Sequence, residues 1–150
     1  MTIFHGMNIT ASALTAQRLR MDVISANMAN ADTTRGRMVD GQWEPYRRKM
    51  VVMEPNSSSF ATQLDKAMGR SSESSQGVKI RNIVEDQTPY KLAYQPEHPD
   101  ANDDGYVLLP NVDPLKEMID LMGTTRSYEA NVTTFDAHKN MLLKALEIGR

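Results

Sequence analysis

The chain has 150 residues, 40% of them hydrophobic, with three Phe, one Trp, no Cys, and 17 Lys and Arg against 19 Asp and Glu for a formal charge of -2. That length suits one domain of ordinary size, the charge balance gives no reason to expect nucleic acid as a partner, and the missing Cys excludes disulfides and thiolate metal sites. So few aromatic residues and a mean hydropathy of -0.50 leave little for a large core, so the isolated monomer is expected to be incompletely ordered.

The charge is unevenly spread: residues 1–50 carry +3, residues 51–112 carry -4 and residues 113–150 carry -1. Such an asymmetry orients neighbouring subunits or belongs to a solvated face. The first twenty residues lack an apolar run behind a basic start, so no cleaved secretory signal is expected, and no window approaches the roughly 18 apolar residues of a membrane span.

A first helix is expected to begin near residues 8–12, where Asn8, Thr10 and Ser12 offer capping oxygens, and to end at the polar run Asn30, Ala31, Asp32, Thr33, Thr34. Along it Met7, Leu14, Met21 and Met28 recur every seven residues, with Thr10, Gln17, Ile24 and Ala31 on the neighbouring stripe. Gly36 then lets the chain turn. Residues 38–53, MVDGQWEPYRRKMVVM, read as a short hairpin or two edge strands with a turn at Asp40-Gly41, Pro45 demoting any strand it interrupts.

Residues 55–77 are rich in Ser and read as a flexible linker, with a helical turn expected over residues 60–68. The runs GVKIRNIVED and PYKLAYQP alternate well enough for two strands joined near residues 87–89. The simplest arrangement is one small sheet built from residues 38–53 and 78–95.

The second helix has a clear start in Asp113 as N-cap, Pro114 at the first helical position and Glu117 in the first turn. Gly123 weakens it by about 1 kcal/mol relative to Ala, and Gly149 is its natural stop. Met118, Thr125, Val132, Lys139 and Leu146 form one seven-residue series, flawed at Lys139, and Leu121, Tyr128, Phe135 and Leu142 form its partner. That spacing is the seam a coiled coil buries. Helices of about 24 and 36 residues run roughly 36 and 54 Å, longer than a compact body of this mass needs, so a partner is expected to cover the projecting stripe. Arg126, Tyr128, Glu129 and Asn131 set polar groups beside the seam, with Arg126 in reach of Asp120 or a neighbouring chain; they fix register or are solvated.

Residues 100–105, DANDDG, satisfy the opening of a calcium loop, D-x-[DN]-x-[DN]-G. The match fails at position twelve, which is Asn111 where a bidentate Glu is needed, so an Asx-rich turn is favoured. His5, His98 and His138 share no ligand spacing, and Asp136 and His138 face different ways on a helix. No serine nucleophile elbow or phosphate loop is present. No catalytic residue, metal or cofactor is therefore expected, and no small-molecule substrate.

The run ALTAQRLRMDVISANMANADTTRG, residues 13–36, resembles the N-terminal signature shared by flagellar rod, hook and hook-associated proteins, and residues 94–150, YQPEHPDANDDGYVLLPNV onward, resemble the C-terminal part of the proximal-rod family of the flagellar basal body. The resemblance covers a little over half the chain. It implies a structural rod subunit that transmits torque across the cell envelope, assembles with itself and other rod proteins, and is exported by the flagellar type III apparatus without a cleaved signal or membrane insertion. The implied fold is α+β, with the terminal helices packed as an antiparallel coiled-coil-like pair: residues 8–34 with 113–149 form a discontinuous helical domain and residues 35–112 a small β-rich middle. It also implies assembly contacts at Ala29, Asn30, Thr33, Thr34, Tyr128, Glu129, Asn131 and Val132, beside Leu14, Met21, Ile24, Met28, Met118, Leu121, Thr125, Phe135, Leu142 and Leu146 of the stripes. The alternatives are another axial rod or hook-proximal protein, or a calcium-responsive binding module.

Overall fold

The computed structural model describes residues 4–56, 64, 67–69 and 77–148. Among them the order is α1 (His5–Ala29), β1 (Arg37–Val39), β2 (Gln42–Glu44), β3 (Lys49–Pro55), β4 (Val78–Glu85), β5 (Lys91–Tyr94), β6 (Tyr106–Leu109) and α2 (Pro114–Ile148), an α+β fold. The Ser-rich run and the stop at Gly149 lie outside the described residues. Of the helical turn expected over residues 60–68, the Met68 amide bonds to the Leu64 carbonyl at 2.9 Å, and the rest lies outside.

The helix α1 starts three residues earlier than the capping signals suggest, and the reason lies in those same hydroxyls. Thr10 Oγ1 donates to the carbonyls of Gly6 (3.1 Å) and Met7 (3.0 Å), and Ser12 Oγ donates to Ile9 (2.7 Å), so both bond back into a helix already formed. The start of α2 is as the sequence signals it: Asp113 Oδ1 accepts from the Leu115 amide at 3.1 Å, and the Asp113 carbonyl accepts from Glu117 at 3.0 Å. It continues unbroken through Gly123 for 35 residues, about 52 Å at 1.5 Å per residue.

The strands form three separate pairs, β1 with β2, β3 with β4 and β5 with β6, rather than one small sheet. Asp40 and Gly41 both take positive φ, 51° and 82°, the requirement of a two-residue type I′ hairpin turn. The pairing of Arg37 with Glu44, Met38 with Trp43 and Val39 with Gln42 ends before Pro45. The strand β5 pairs not with β4 but with residues 106–109, whose strand character the Asp-rich run before them obscured.

Contacts cluster into two compact units, one of residues 1–19, 52–82 and 125–150, the other of residues 20–51 and 83–124, so each helix contributes to both. In the first unit Thr10 and Ala16 are buried. A Cβ placed on Gly6 would lie 3.0 Å from the His138 ring, so the first turn of α1 sits close against that imidazole. Ser12 Oγ also accepts from the Val78 amide at 3.0 Å, fixing the start of β4, and Lys79 pairs with Glu54 at 3.0 Å.

In the second unit Val23, Ile24, Val107 and Val112 form the apolar core. Burying each such side chain contributes roughly 1.5–3 kcal/mol. The β5–β6 hairpin obeys the two-residue alternation of strands: Ala93 and Val107 turn inward, while Leu92, Tyr94, Tyr106 and Leu108 turn outward and stay exposed. Gly36 is dictated by packing, since a Cβ there would lie 2.6 Å from the Tyr46 amide nitrogen.

Candidate functional site

The second unit is organised by a buried polar cluster joining residues of α1, the chain before β3, and the first turn of α2. Asn27, 1% exposed, uses both ends of its amide. Its Nδ2 donates to the Lys49 carbonyl (2.9 Å) and to Glu117 Oε2 (3.0 Å), and its Oδ1 accepts from the Lys49 amide (2.9 Å) and the Tyr46 hydroxyl (3.0 Å). The side chain thereby pairs with both backbone groups of Lys49, as a neighbouring strand would, and its hydrogen-bonding capacity is filled.

Glu117 is fully buried and its other oxygen accepts from Arg48 Nε at 2.6 Å. The same guanidinium lies 3.5 Å from Asp86 and 3.4 Å from Asp120. A buried carboxylate is tolerated only when paired and hydrogen-bonded, and here one arginine and one amide do both. Asn111 continues the network: its Oδ1 accepts from the Arg48 amide (2.8 Å) and its Nδ2 donates to the carbonyls of Asp86 (3.1 Å) and Thr88 (3.2 Å). The Thr88 amide and hydroxyl hold the Asp86 carboxyl below its ordinary pKa, with Arg48 helping and burial opposing. Burial, and then the Glu117 charge, raise the Tyr46 phenol.

A second set of bonds fastens the turn after α1. Asn30 Nδ2 donates to the Ala26 carbonyl (2.8 Å), Thr33 Oγ1 donates to Asn30 Oδ1 (3.2 Å), and the Thr33 carbonyl accepts from the Tyr46 amide (3.1 Å). Thr34 Oγ1 and Arg35 Nε donate to the two oxygens of Asp100 at 2.8 and 2.7 Å. Those bonds hold the Asp100 carboxyl below its usual pKa, Arg35 first. The DANDDG run is thus a hairpin turn between β5 and β6, closed by Asn102 Oδ1 accepting from the Tyr106 amide at 2.8 Å.

The residues expected at subunit contacts divide by how far the chain covers them itself. On α1, Ile24 is buried, Leu14, Met21 and Met28 are half-buried and Ala29 is exposed; Asn30, Thr33 and Thr34 are half-buried in the turn just described. On α2 a covered stripe runs through Glu117, Leu121, Thr124, Tyr128, Asn131, Phe135, His138 and Leu142, four and three residues apart in alternation, with Asp120 half-buried beside it. The series through Leu121, Tyr128, Phe135 and Leu142 is therefore the covered one, but its companion runs through Glu117, Thr124, Asn131 and His138, one residue before the series expected. Thr125 is half-buried, and Met118, Glu129, Val132, Lys139 and Leu146 are exposed. Asp120 pairs with Arg48, and Arg126 is exposed.

The polar members of the covered stripe hid it, because an apolar heptad was the signal sought. Asn27, Tyr46, Arg48 and Asn111 carried no periodic signal at all, and each is placed by contacts 19 or more residues away in sequence. Opposite the covered stripe, Leu115, Met118, Ile119 and Met122 stand exposed at the spacing i, i+3, i+4, i+7 of one helix face.

No helix among the described residues is long and apolar enough to cross a membrane. Residues 7–36 match the family model described as flagella basal body rod protein, and residues 103–148 match that of the flagellar basal body rod FlgEFG protein C-terminal region. The chain is 57% identical to the flagellar basal-body rod protein FlgC of Bacillus subtilis (strain 168), over the whole of both chains. It is 42% identical to the FlgC of Escherichia coli O157:H7, again over the whole of both. The FlgC of Borreliella burgdorferi is 40% identical over 99% of this chain and 98% of its own. Matches of that depth along the full length, with each helical end matching a rod family of its own, mean that the chain belongs to the FlgC family of flagellar basal-body rod proteins.

Proposed function

We propose that this chain is a structural subunit of the proximal rod, assembling with itself and other rod proteins to carry torque across the cell envelope. The observation that carries the reading is the exposed stripe Leu115, Met118, Ile119 and Met122, on a helix whose other face the chain already covers. An amphipathic helix has one apolar face to bury. A second one asks for a second covering surface, and a neighbouring subunit supplies it.

Within one subunit the terminal helices pair antiparallel, in the manner of a coiled coil. Support comes from each unit by itself: Gly6 lies against His138 in one, and Asn27 bonds to Glu117 in the other. The assembly contacts expected at the ANADTTRG turn and along both stripes act on this frame. Export proceeds through the type III apparatus as a largely unfolded chain, whose stripes order when neighbours bury them.

The test is the double substitution Met118→Asp with Ile119→Asp. Both side chains are exposed, so the purified chain keeps its circular dichroism and its melting temperature within a few degrees. Cells carrying it are expected to express and export the chain yet build no complete basal body and fail to swim. Normal swimming would refute the reading.

A further inference from the structure

The β5–β6 hairpin turns a wholly apolar face to solvent. Leu92 is 68% exposed and Tyr94 65%, opposite Leu108 and Tyr106 on the partner strand, and the two tyrosine rings meet edge to face at 5.3 Å. Trp43 of the neighbouring hairpin, half exposed, borders the same groove of about 210 Å³, together with Pro45 and Asn102. A sheet face of this kind normally alternates apolar-in with polar-out. Here the outward positions are as apolar as the inward ones, which marks an interaction surface.

The charge around this face is one-sided. Asp40 at the tip of one hairpin, Asp103 and Asp104 at the tip of the other, and Glu97 are exposed carboxylates that make no ion pair among the described residues. Three cations of these hairpins and their flanks are engaged within the chain: Arg35 with Asp100, Arg37 with Glu44 and Glu85, and Lys91 Nζ with the Val112 carbonyl at 2.6 Å. The surface is thus apolar with an acidic rim, and its occupant should be apolar, small enough for close approach, and basic at its margin.

The outer face of α1 has that character. Phe4, Asn8, Ala11, Thr15 and Arg18 are exposed along one helix face over roughly 21 Å. Phe4 is a large apolar group 61% exposed, the middle of the row is small, and Arg18 at its end is an exposed cation that makes no ion pair among the described residues. Residues 1–21 contain no Asp or Glu. The two surfaces are complementary in charge and belong to different elements, the heterologous kind of contact that builds an open assembly.

We infer that the apolar, acid-rimmed face of the β1–β2 and β5–β6 hairpins is an inter-subunit docking surface that receives the outer face of helix α1 from a second copy of this chain. The inference rests on the rod-subunit reading and names the contact within it.

The chain has no Cys, so introduced thiols report one contact only. Full-length copies carrying Leu108→Cys and Ala11→Cys are co-expressed in cells lacking the native chain, and basal bodies are isolated under mild oxidation. Both positions are exposed, so the fold tolerates them. The expected result is a mixed disulfide dimer of the two variants within the basal bodies, absent when Lys139→Cys replaces Ala11→Cys. Reversing the rim with Asp103→Arg and Asp104→Arg is expected to cut its yield roughly tenfold, by setting like charges against Arg18. Both variants present in basal bodies without the mixed dimer, or Leu108→Cys joined to a different protein, would overturn the docking inference and leave the rod reading intact. Absence of the wild-type chain from basal bodies would overturn the rod reading itself.

Discussion

Asn27 ties three separate segments of the second unit together through one buried side chain. Replacing it with Ala strips a partner from the Lys49 amide and carbonyl, the Tyr46 hydroxyl and the Glu117 carboxylate together. Each buried group left unsatisfied costs about 1–3 kcal/mol, so Asn27→Ala is expected to lower stability by about 3 kcal/mol or more, measured by urea unfolding. Arg48→Met alone leaves Glu117 buried without its cation and is expected to cost about 3–5 kcal/mol, whereas Arg48→Met combined with Glu117→Leu recovers most of that. A double mutant as unstable as the single would show that the pair itself, rather than an orphaned charge, stabilises the fold. Asp86 gives the cluster a pH dependence. A carboxyl whose folded pKa lies below its unfolded value stabilises the fold above the unfolded pKa, and that contribution is lost as pH falls through the folded one, so acid lability sets in below about pH 4. Thr88→Val removes one bond to Asp86, and its carboxyl pKa is expected to rise toward the ordinary value in an NMR titration, with acid unfolding beginning at higher pH.

At the scale of elements, the long second helix offers a clean measurement. It passes through Gly123 with nothing beyond the helix's own backbone and the two flanking residues within 4 Å of where a Cβ would stand, so Gly123→Ala meets no obstacle and is expected to stabilise the chain by about 1 kcal/mol through helix propensity. An unchanged or lowered melting temperature would mean that glycine is required there for close packing in the assembled rod or for a bend. The elements legible in the sequence were those set by local chemistry: Asp113-Pro114 opens α2, and Asp40-Gly41 turns β1 into β2. Elements set by distant partners were not. Thr10 and Ser12 have the composition of caps but bond back into a helix held by its packing, and residues 106–109 become a strand because residues 91–94 lie beside them. The stripe of α2 that the chain covers itself is hard to read from spacing because Glu117, Thr124, Asn131 and His138 are polar. Glu117 is held by Arg48 and Asn27, and His138 lies against Gly6, none of which any window of the α2 sequence contains. Of the candidate site, the stripe through Leu121 and Phe135 was readable from spacing, and the hydrogen-bonded cluster behind it was not.

Across the whole molecule, burial is concentrated in one unit. Residues 20–51 with 83–124 hold Val23, Ile24, Asn27, Val107, Pro110, Val112, Glu117 and Thr124 as buried groups, whereas among the described residues of the other unit only Thr10 and Ala16 are buried. Opening free energy follows buried contact, so the two units should differ in how readily they open. Hydrogen exchange on the purified monomer is expected to show strong protection for amides of residues 20–29, 106–109 and 115–124. Residues 125–148 of the same continuous helix are expected to exchange through an opening that costs less than global unfolding. The half-buried side chains there, Tyr128, Phe135 and Leu142, are then expected to complete their burial against neighbouring subunits, and assembly into basal bodies should slow exchange over residues 125–148 far more than over 115–124. Uniform protection of all 35 residues of α2 in the monomer would mean that this end is already complete, leaving the exposed stripe at Leu115–Met122 and the apolar hairpin face as the surfaces on which a neighbour acts.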